Sequence, residues 1–355
     1  MGSSGISQSI QAVISQAIKE RVFPGAVVGV IAKNQRTVMP FGRLTYEPSA
    51  HEVTTDTVYD VASITKSIPV STIILTLIER DVLKLDDRVI KVIPEIKNDY
   101  REQILIKHLL TFTMAFDMPR RLSAYAEEGG EILLQALFDA PLQAPPGEEY
   151  CYSNAPAILL GLIAERILKK SLDIIADELF FSPLHMRHTT FHPNDLPNAL
   201  IAPSEINWRG EIKGVVHDEA AWALQAAGII AGNAGVFSIA DDLLTFAEML
   251  LADGTYKERT YFSPKTVAQM HSNQIAEIGG SIGLGWELGQ AHFMGDEASQ
   301  SCFGKVGYTG SMILIDPLKD TALVLLTNRT YPTRPSDGTA INQVRRALSD
   351  LVFAE

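Results

Sequence analysis

The sequence predicts an α/β (α+β) fold: an antiparallel sheet flanked by an N-terminal and a C-terminal helix, with a mostly helical domain inserted between its halves. Three observations carry this expectation. Near each chain end, apolar residues recur at three-to-four spacing, the mark of a helix with one buried face. Residues 26–41 and 311–327 each read as two apolar, β-branched runs about a polar turn, which is a hairpin pattern. The long stretch between them reads as helical or irregular. A sheet assembled from both chain ends makes one domain, 1–62 with 231–355, and leaves 63–230 as the helical insertion. With 355 residues and 46% hydrophobic content the chain can bury the core this requires.

Each element has its own warrant. Ile6, Ile10, Val13, Ile14, Ala17 and Ile18 give the first helix its apolar stripe, and Pro24-Gly25 ends it. Residues 26–32 form a strand, Asn34-Gln35 a turn, and 36–41 the returning strand. Residues 67–83 read as a helix that Pro69 kinks in its first turns, too short and impure for a membrane span and therefore a core helix. Pro145-Pro146-Gly147 marks a turn, and 155–169 is a further helix. The uncharged stretch 220–237 holds glycines and Asn233, which argue for a packed segment lining a cleft rather than a span. Strands at 311–315 and 322–327 precede a closing helix whose face is Ile341, Val344, Leu348, Leu351 and Val352.

Composition narrows the partners. With 30 basic against 42 acidic side chains the formal charge is −12, which disfavours nucleic acid or an anionic membrane and leaves a small-molecule substrate. Oligomeric state is open. Two cysteines, Cys151 and Cys302, are too few for a disulfide framework and are expected as free thiols. No basic segment with an apolar core precedes the first helix, so the chain as written is expected in the cytoplasm; it would be periplasmic or secreted if the stretch Met1-Gly2-Ser3-Ser4-Gly5 is a cloning remnant that replaced a leader.

The chemistry centres on Tyr59-Asp60-Val61-Ala62-Ser63-Ile64-Thr65-Lys66. On a helix starting near Ser63, Lys66 lies on the same face, so its ammonium would sit beside the serine hydroxyl. The unpaired N–H groups of the first turn favour the negative charge that builds as that hydroxyl attacks. Two more motifs follow, Tyr152-Ser153-Asn154 on a loop entering a helix and Lys305-Val306-Gly307 on a strand, and each of the three occurs once. Other constellations are weaker. His185, His188 and His192 surround prolines with no carboxylate at ligand spacing, so no metal is expected. His217-Asp218 are neighbours that point opposite ways in an extended segment, so a structural role in a loop is expected. No Gly-x-Ser-x-Gly elbow occurs.

In order and identity the three motifs resemble those of the class C β-lactamase-like serine hydrolases, which include DD-peptidases and esterases. The likeness runs through His108-Leu109-Leu110-Thr111, Pro146-Gly147, Val216-His217-Asp218-Glu219, Gly283-Leu284-Gly285-Trp286 and Tyr308-Thr309-Gly310-Ser311. It implies a cofactor-free hydrolase of esters, amides or β-lactams that works through an acyl-serine. Ser63 would be the nucleophile and Tyr152 the base, its phenolate favoured by Lys66 and Lys305. Asn154 would bind the substrate amide or hold Lys66, Gly307 would let substrate backbone approach, and the N–H groups of Ser63 and Tyr308 would bind the oxyanion. The alternatives are a D-alanyl-D-alanine carboxypeptidase, which needs export, and a non-catalytic penicillin-binding or structural homologue. The pattern also departs from the family. Phe112 stands where a second histidine is usual, Met114-Ala115 where Ser-Gly is common, and Val306 where threonine is usual, which predicts a weaker preference for anionic β-lactams.

Overall fold

In a computed structural model, which describes residues 3–197 and 199–354, the expected stripe of Ile10, Ile14 and Ala17 is buried on helix α1 (Ser3–Lys19). Met1 and Gly2 of the possible cloning remnant lie outside the described residues. The chain then turns into β1 (Gly25–Ala32) and β2 (Gln35–Gly42). The turn sits one residue earlier than expected, at Lys33-Asn34, with φ of 53° and 59°. A two-residue hairpin loop whose twist matches its strands needs positive φ at both positions, so Gln35 is already paired with Ala32.

Both chain ends build one six-stranded sheet. Its order is β2-β1-β6-β5-β4-β3, where β3 is Glu287–Leu288, β4 Phe303–Val306, β5 Met312–Asp316 and β6 Thr321–Thr327. Neighbouring strands are antiparallel throughout. Alternation sorts the side chains between two faces. Val28, Val30, Met312, Leu314, Leu323 and Leu325 pack with α1 and the closing helix α6 (Thr339–Phe353), while Val27, Ile313, Ile315, Val324 and Leu326 join the larger core. On that second face α5 (Ala240–Leu251) crosses β1 so closely that a Cβ on Gly29 would lie 2.8 Å from Leu244.

The segment expected as one helix over 67–83 is two pieces, preceded by a third short turn. A 3-10 turn, Ala62–Lys66, leads to a wider turn, Ser67–Ser71, and only then to α2 (Thr72–Glu79). Ile68, with φ −114° and ψ 108°, breaks the helix because proline at the next position pushes its predecessor out of the helical region. The stretch 62–79 has the length and apolarity of a membrane span, yet 83% of it is buried inside the protein. Beside it α3 (Ala155–Leu168) is buried from Ala155 to Ala164. After α4 (Glu219–Ala226) the chain returns towards the sheet, where Phe237–Ser238 pairs with Tyr59–Asp60 just ahead of Ser63. Both cysteines are free thiols.

Candidate active site

Ser63 is presented by a strained and well-anchored turn. Ala62, immediately before it, has φ of 49°, a left-handed conformation that an L-residue holds only when its surroundings insist. The buried Asp60 supplies the insistence. Its Oδ1 accepts the Ala62 N–H at 2.8 Å and its Oδ2 accepts the His217 N–H at 2.8 Å. From the sheet, Thr309 Oγ1 donates to Asp60 O at 2.7 Å, and on the other side the Val236 N–H donates to Thr65 Oγ1 at 3.2 Å. Ser63 is thus fixed by the segments around residues 217, 236 and 309 at once.

The 3-10 turn brings Lys66 back onto Ser63, as the three-residue spacing predicts. Lys66 is 1% exposed; its Nζ donates to Ser63 Oγ at 2.7 Å and to Asn233 O at 2.9 Å. Tyr152 lies over this pair, with the Lys66 Nζ 5.4 Å from its ring centroid and the Lys305 Nζ 4.3 Å away. Lys305 reaches up from β4, fully buried, and donates to Glu287 Oε1 at 2.9 Å. Phe112 floors the group, its ring centroid 5.2 Å from that of Tyr152 and 5.1 Å from the Lys305 Nζ. An apolar wall therefore stands where the family resemblance placed a histidine.

Charge balance explains the titration of this cluster. Two ammonium groups are buried with one carboxylate in direct contact, Glu287 on Lys305. Asp218 supports the Lys66 cation without touching it, so Lys66 has no directly bonded counter-charge until Tyr152 ionises. Burial alone would raise the Tyr152 phenol, but Lys305 and Lys66 outweigh it, a hydrogen bond with Ser63 adds to them, and the phenol is held below its ordinary value. Burial and repulsion from Lys305 hold the Lys66 ammonium low, against the pull of Tyr152. Burial likewise opposes charge on Lys305, yet Glu287 and Tyr152 overcome it and raise its pKa. Lys305 is thus favoured as a cation, and because Tyr152 and Lys66 act on one another their titrations belong to the pair. Although 42% of Tyr152 is exposed, the surroundings of its hydroxyl are the two buried lysines and Ser63.

One expectation needs correction and two are refined. Asn154 does not hold Lys66: its Nδ2 donates to Asp218 Oδ2 at 3.2 Å, and Lys66 rests on the main chain of Asn233, whose own side chain donates to Asp218 Oδ1 at 3.1 Å. Gly307 has a packing role. A Cβ there would sit 2.4 Å from Val61 O and 3.3 Å from the Ala62 Cβ, so glycine is needed for β4 to meet the Ser63 turn. Val306 does not face the cleft. It packs with the terminal-helix cluster, on the opposite side of β4 from Lys305.

Sequence reasoning named Ser63, Lys66, Tyr152 and Lys305, and the structure brings these four together; Tyr308 follows Gly307 against the same turn. It missed Glu287, Asn233, Asp60 and Asp218 as parts of the site. Glu287 directly follows Gly283-Leu284-Gly285-Trp286, and a buried lysine's need for a counter-charge was the signal that could have found it. His217 takes the expected structural role: its Nε2 meets Glu205 Oε2 at 2.9 Å, while Asp218 caps α4 through the Ala221 N–H. The histidines at 185, 188 and 192 form no metal-binding group among the described residues.

A family model described as Beta-lactamase matches residues 10–346. A protein of Escherichia coli (strain K12), provisionally named D-alanyl-D-alanine carboxypeptidase, is 28% identical over 312 residues, covering 79% of this chain and 71% of the relative. Among solved structures, EstCE1, a hydrolase with promiscuous acyltransferase activity, has a TM-score of 0.78 at 22% identity and covers 99% of each chain. The octameric penicillin-binding protein homologue from Pyrococcus abyssi has a TM-score of 0.77 at 20% identity, covering 98% of this chain and 78% of that one. These two likenesses bear on the fold, which this chain shares along nearly all of its own length. With the family match running through all three motifs, the chain belongs to the Beta-lactamase family and is a serine hydrolase.

Proposed function

We propose that Ser63 is the nucleophile of an acyl-serine hydrolase whose base is Tyr152 acting with Lys66, in a cleft between a sheet domain (1–62 and 231–355) and a helical domain (63–230). The observation that carries this is Lys66 Nζ at 2.7 Å from Ser63 Oγ with the buried Lys305 beside the Tyr152 ring. Because Lys66 donates to Ser63 Oγ, the serine's own proton is free to pass to the Tyr152 phenolate as Oγ bonds to the substrate carbonyl carbon. The carbonyl oxygen takes up the electron pair and is met by the N–H groups of Ser63 and Tyr308. Collapse expels the leaving group, which takes its proton from Tyr152. Water then attacks the acyl-serine by the same route in reverse. Asp218 keeps Asn154 and Asn233 in place throughout.

The mouth of the site favours uncharged substrates. Tyr150, Tyr152 and Tyr308 are its exposed aromatic surface, Phe112 is its floor, and Val306 offers nothing to it. Esters with apolar acyl groups fit this lining best. A second reading, a D-alanyl-D-alanine carboxypeptidase, is favoured by the name of the Escherichia coli relative; it requires export, so the native N-terminus and compartment discriminate. The test is labelling with a fluorophosphonate or a fluorescent penicillin, followed by peptide mass spectrometry and by turnover of an ester, β-lactam and D-Ala-D-Ala panel. The adduct is expected on Ser63 with ester turnover leading. Equal labelling of Ser63→Ala would overturn the assignment.

A further inference from the structure

The turn between β4 and β5 has every one of its carbonyl groups held by one of two arginines. Arg345 Nη2 donates to Gly307 O at 2.7 Å and to Ser311 O at 2.9 Å, and its Nε donates to Gly310 O at 3.3 Å. Arg329 Nε donates to Tyr308 O at 2.8 Å, and the Arg329 N–H donates to Thr309 O at 2.9 Å. Arg345 lies on α6, 4% exposed, and its one remaining side-chain partner is Asn342 Oδ1. None of these partners is a carboxylate. Packing alone does not ask for such a residue, because burying a guanidinium without a counter-charge is costly and a long apolar side chain would fill the same space.

The peptide between Gly307 and Tyr308 shows what this arrangement accomplishes. In a trans peptide the C=O and N–H point in opposite directions. The Gly310 N–H donates to Gly307 O across the turn at 3.1 Å, and Arg345 adds a second, shorter bond at 2.7 Å from the terminal-helix side. This sets the plane of the peptide and with it the direction of the Tyr308 N–H. The opposite side carries the nucleophile: a Cβ on Gly307 would strike Val61 O at 2.4 Å, and Thr309 Oγ1 is bonded to Asp60 O. A guanidinium on the carbonyl also polarises the peptide and makes its N–H a stronger donor.

We infer that Arg345 is a positioning residue for oxyanion binding, fixing the Gly307–Tyr308 peptide so that its N–H faces the carbonyl oxygen of a substrate attacked by Ser63. The inference rests on Ser63 being the acylated residue. Arg345 touches no substrate and acts through the peptide it holds.

The test uses the full chain with Arg345→Met and Arg345→Lys, assayed on p-nitrophenyl acetate, by rate of fluorophosphonate labelling, by affinity for a boronic acid whose adduct places an oxygen among the oxyanion donors, and by thermal melting. Arg345→Met is expected to lower kcat about ten- to a hundredfold, below or up to the loss from deleting an oxyanion donor outright, with KM changed less than about threefold. Labelling rate and boronate affinity should fall with it, and Arg345→Lys, which reaches fewer carbonyls, should recover part of the loss. A lowered melting temperature with kcat and boronate affinity intact would make Arg345 merely structural and overturn the inference, as would a raised KM with unchanged kcat. Should Arg345→Met fail to fold, the lysine variant carries the same readouts. A wild type that the fluorophosphonate leaves unlabelled at Ser63 refutes the functional reading itself, whereas a labelled wild type with unaltered variants refutes this inference alone.

Discussion

Two buried charge clusters flank Tyr308, and they are built on opposite plans. Around Ser63, two lysines have one carboxylate in contact, with Asp218 acting on Lys66 from farther off, and both cations hold the Tyr152 phenol low. On the other side, Glu205 alone gathers the donors: His217 Nε2 at 2.9 Å, Arg334 Nε at 2.5 Å and Nη2 at 2.8 Å, and the Asn207 amide. Burial opposes its charge, but His217 and Arg334 prevail and hold the carboxyl down at about 2. Glu219 takes a further bond from Arg334. Here the carboxylate meets its partners directly, and its negative charge is secured at neutral pH. An unbalanced cluster stores the capacity to move a proton; a balanced one fixes geometry, here the His217 ring stacked 5.6 Å from that of Tyr308.

The sharpest break in the unbalanced cluster is Tyr152→Phe, which keeps the ring but cannot accept a proton. A loss of about 10²-fold or more in kcat is expected, the usual scale for a general base, with the fold unchanged by circular dichroism. Lys66→Met should be as damaging, and the double variant little worse than either, because the two act as a unit.

Glu287→Gln tests the balance itself, with an expected loss of about tenfold in kcat. The sign of its pH effect follows from the charges. The Glu287 carboxylate opposes ionisation of Tyr152 and supports the cation on Lys305. Removing it makes the phenol easier to deprotonate and the ammonium easier to lose, so both limbs of the kcat/KM profile should move to lower pH. Limbs that stay in place would show that Glu287 does not set the protonation of the site.

Glu205→Gln should instead cost stability and spare turnover. A carboxyl at about 2 in the folded chain against 4.5 unfolded contributes stability that is present above pH 4.5 and lost as pH falls through about 2. That shift corresponds to about 3 kcal/mol. Urea melts should show a loss of that order at pH 7 and a flatter acid limb between pH 5 and 2, with kcat/KM within about threefold of wild type. The smallest effect is expected from Val306→Thr. Because Val306 faces the terminal helices, the ratio of cephalosporin to ester turnover should change less than about threefold. A larger shift towards the cephalosporin would place the side chain in the cleft after all.

The sequence announced the parts of this fold that repeat a pattern. The apolar stripes of α1 and α6 and the paired runs of β1, β2, β5 and β6 were legible because periodicity reports which face is buried. Broken elements were harder to see: Pro69 foretold a kink, but not that Ile68 before it would leave the helix altogether and split the segment. Residues that act through a short local spacing were legible too, as Ser63 and Lys66 show. Glu287 and Asn233 were not, since their partners lie 18 and 167 residues away and no local spacing records such a meeting; Asp60 has one partner two residues on, Ala62, but the other, His217, lies 157 residues away. Val306 was misread, and the packing role of Gly307 missed, for a related reason. Which face of β4 looks into the cleft depends on the strand's neighbours, and only those neighbours show that the glycine meets Val61.

The central claim, that unpaired positive charge draws a proton from Tyr152, can be read directly. Tyrosine labelled at Cζ with carbon-13, compared between the wild type and Tyr152→Phe, identifies the Tyr152 resonance, whose shift reports phenolate across a pH titration. The resonance is expected to titrate below the ordinary phenol value of about 10 and to move back up when Lys305→Met removes the fixed cation. A Tyr152 phenol that titrates at or above 10 in the folded wild type, and does not respond to Lys305, would contradict the account.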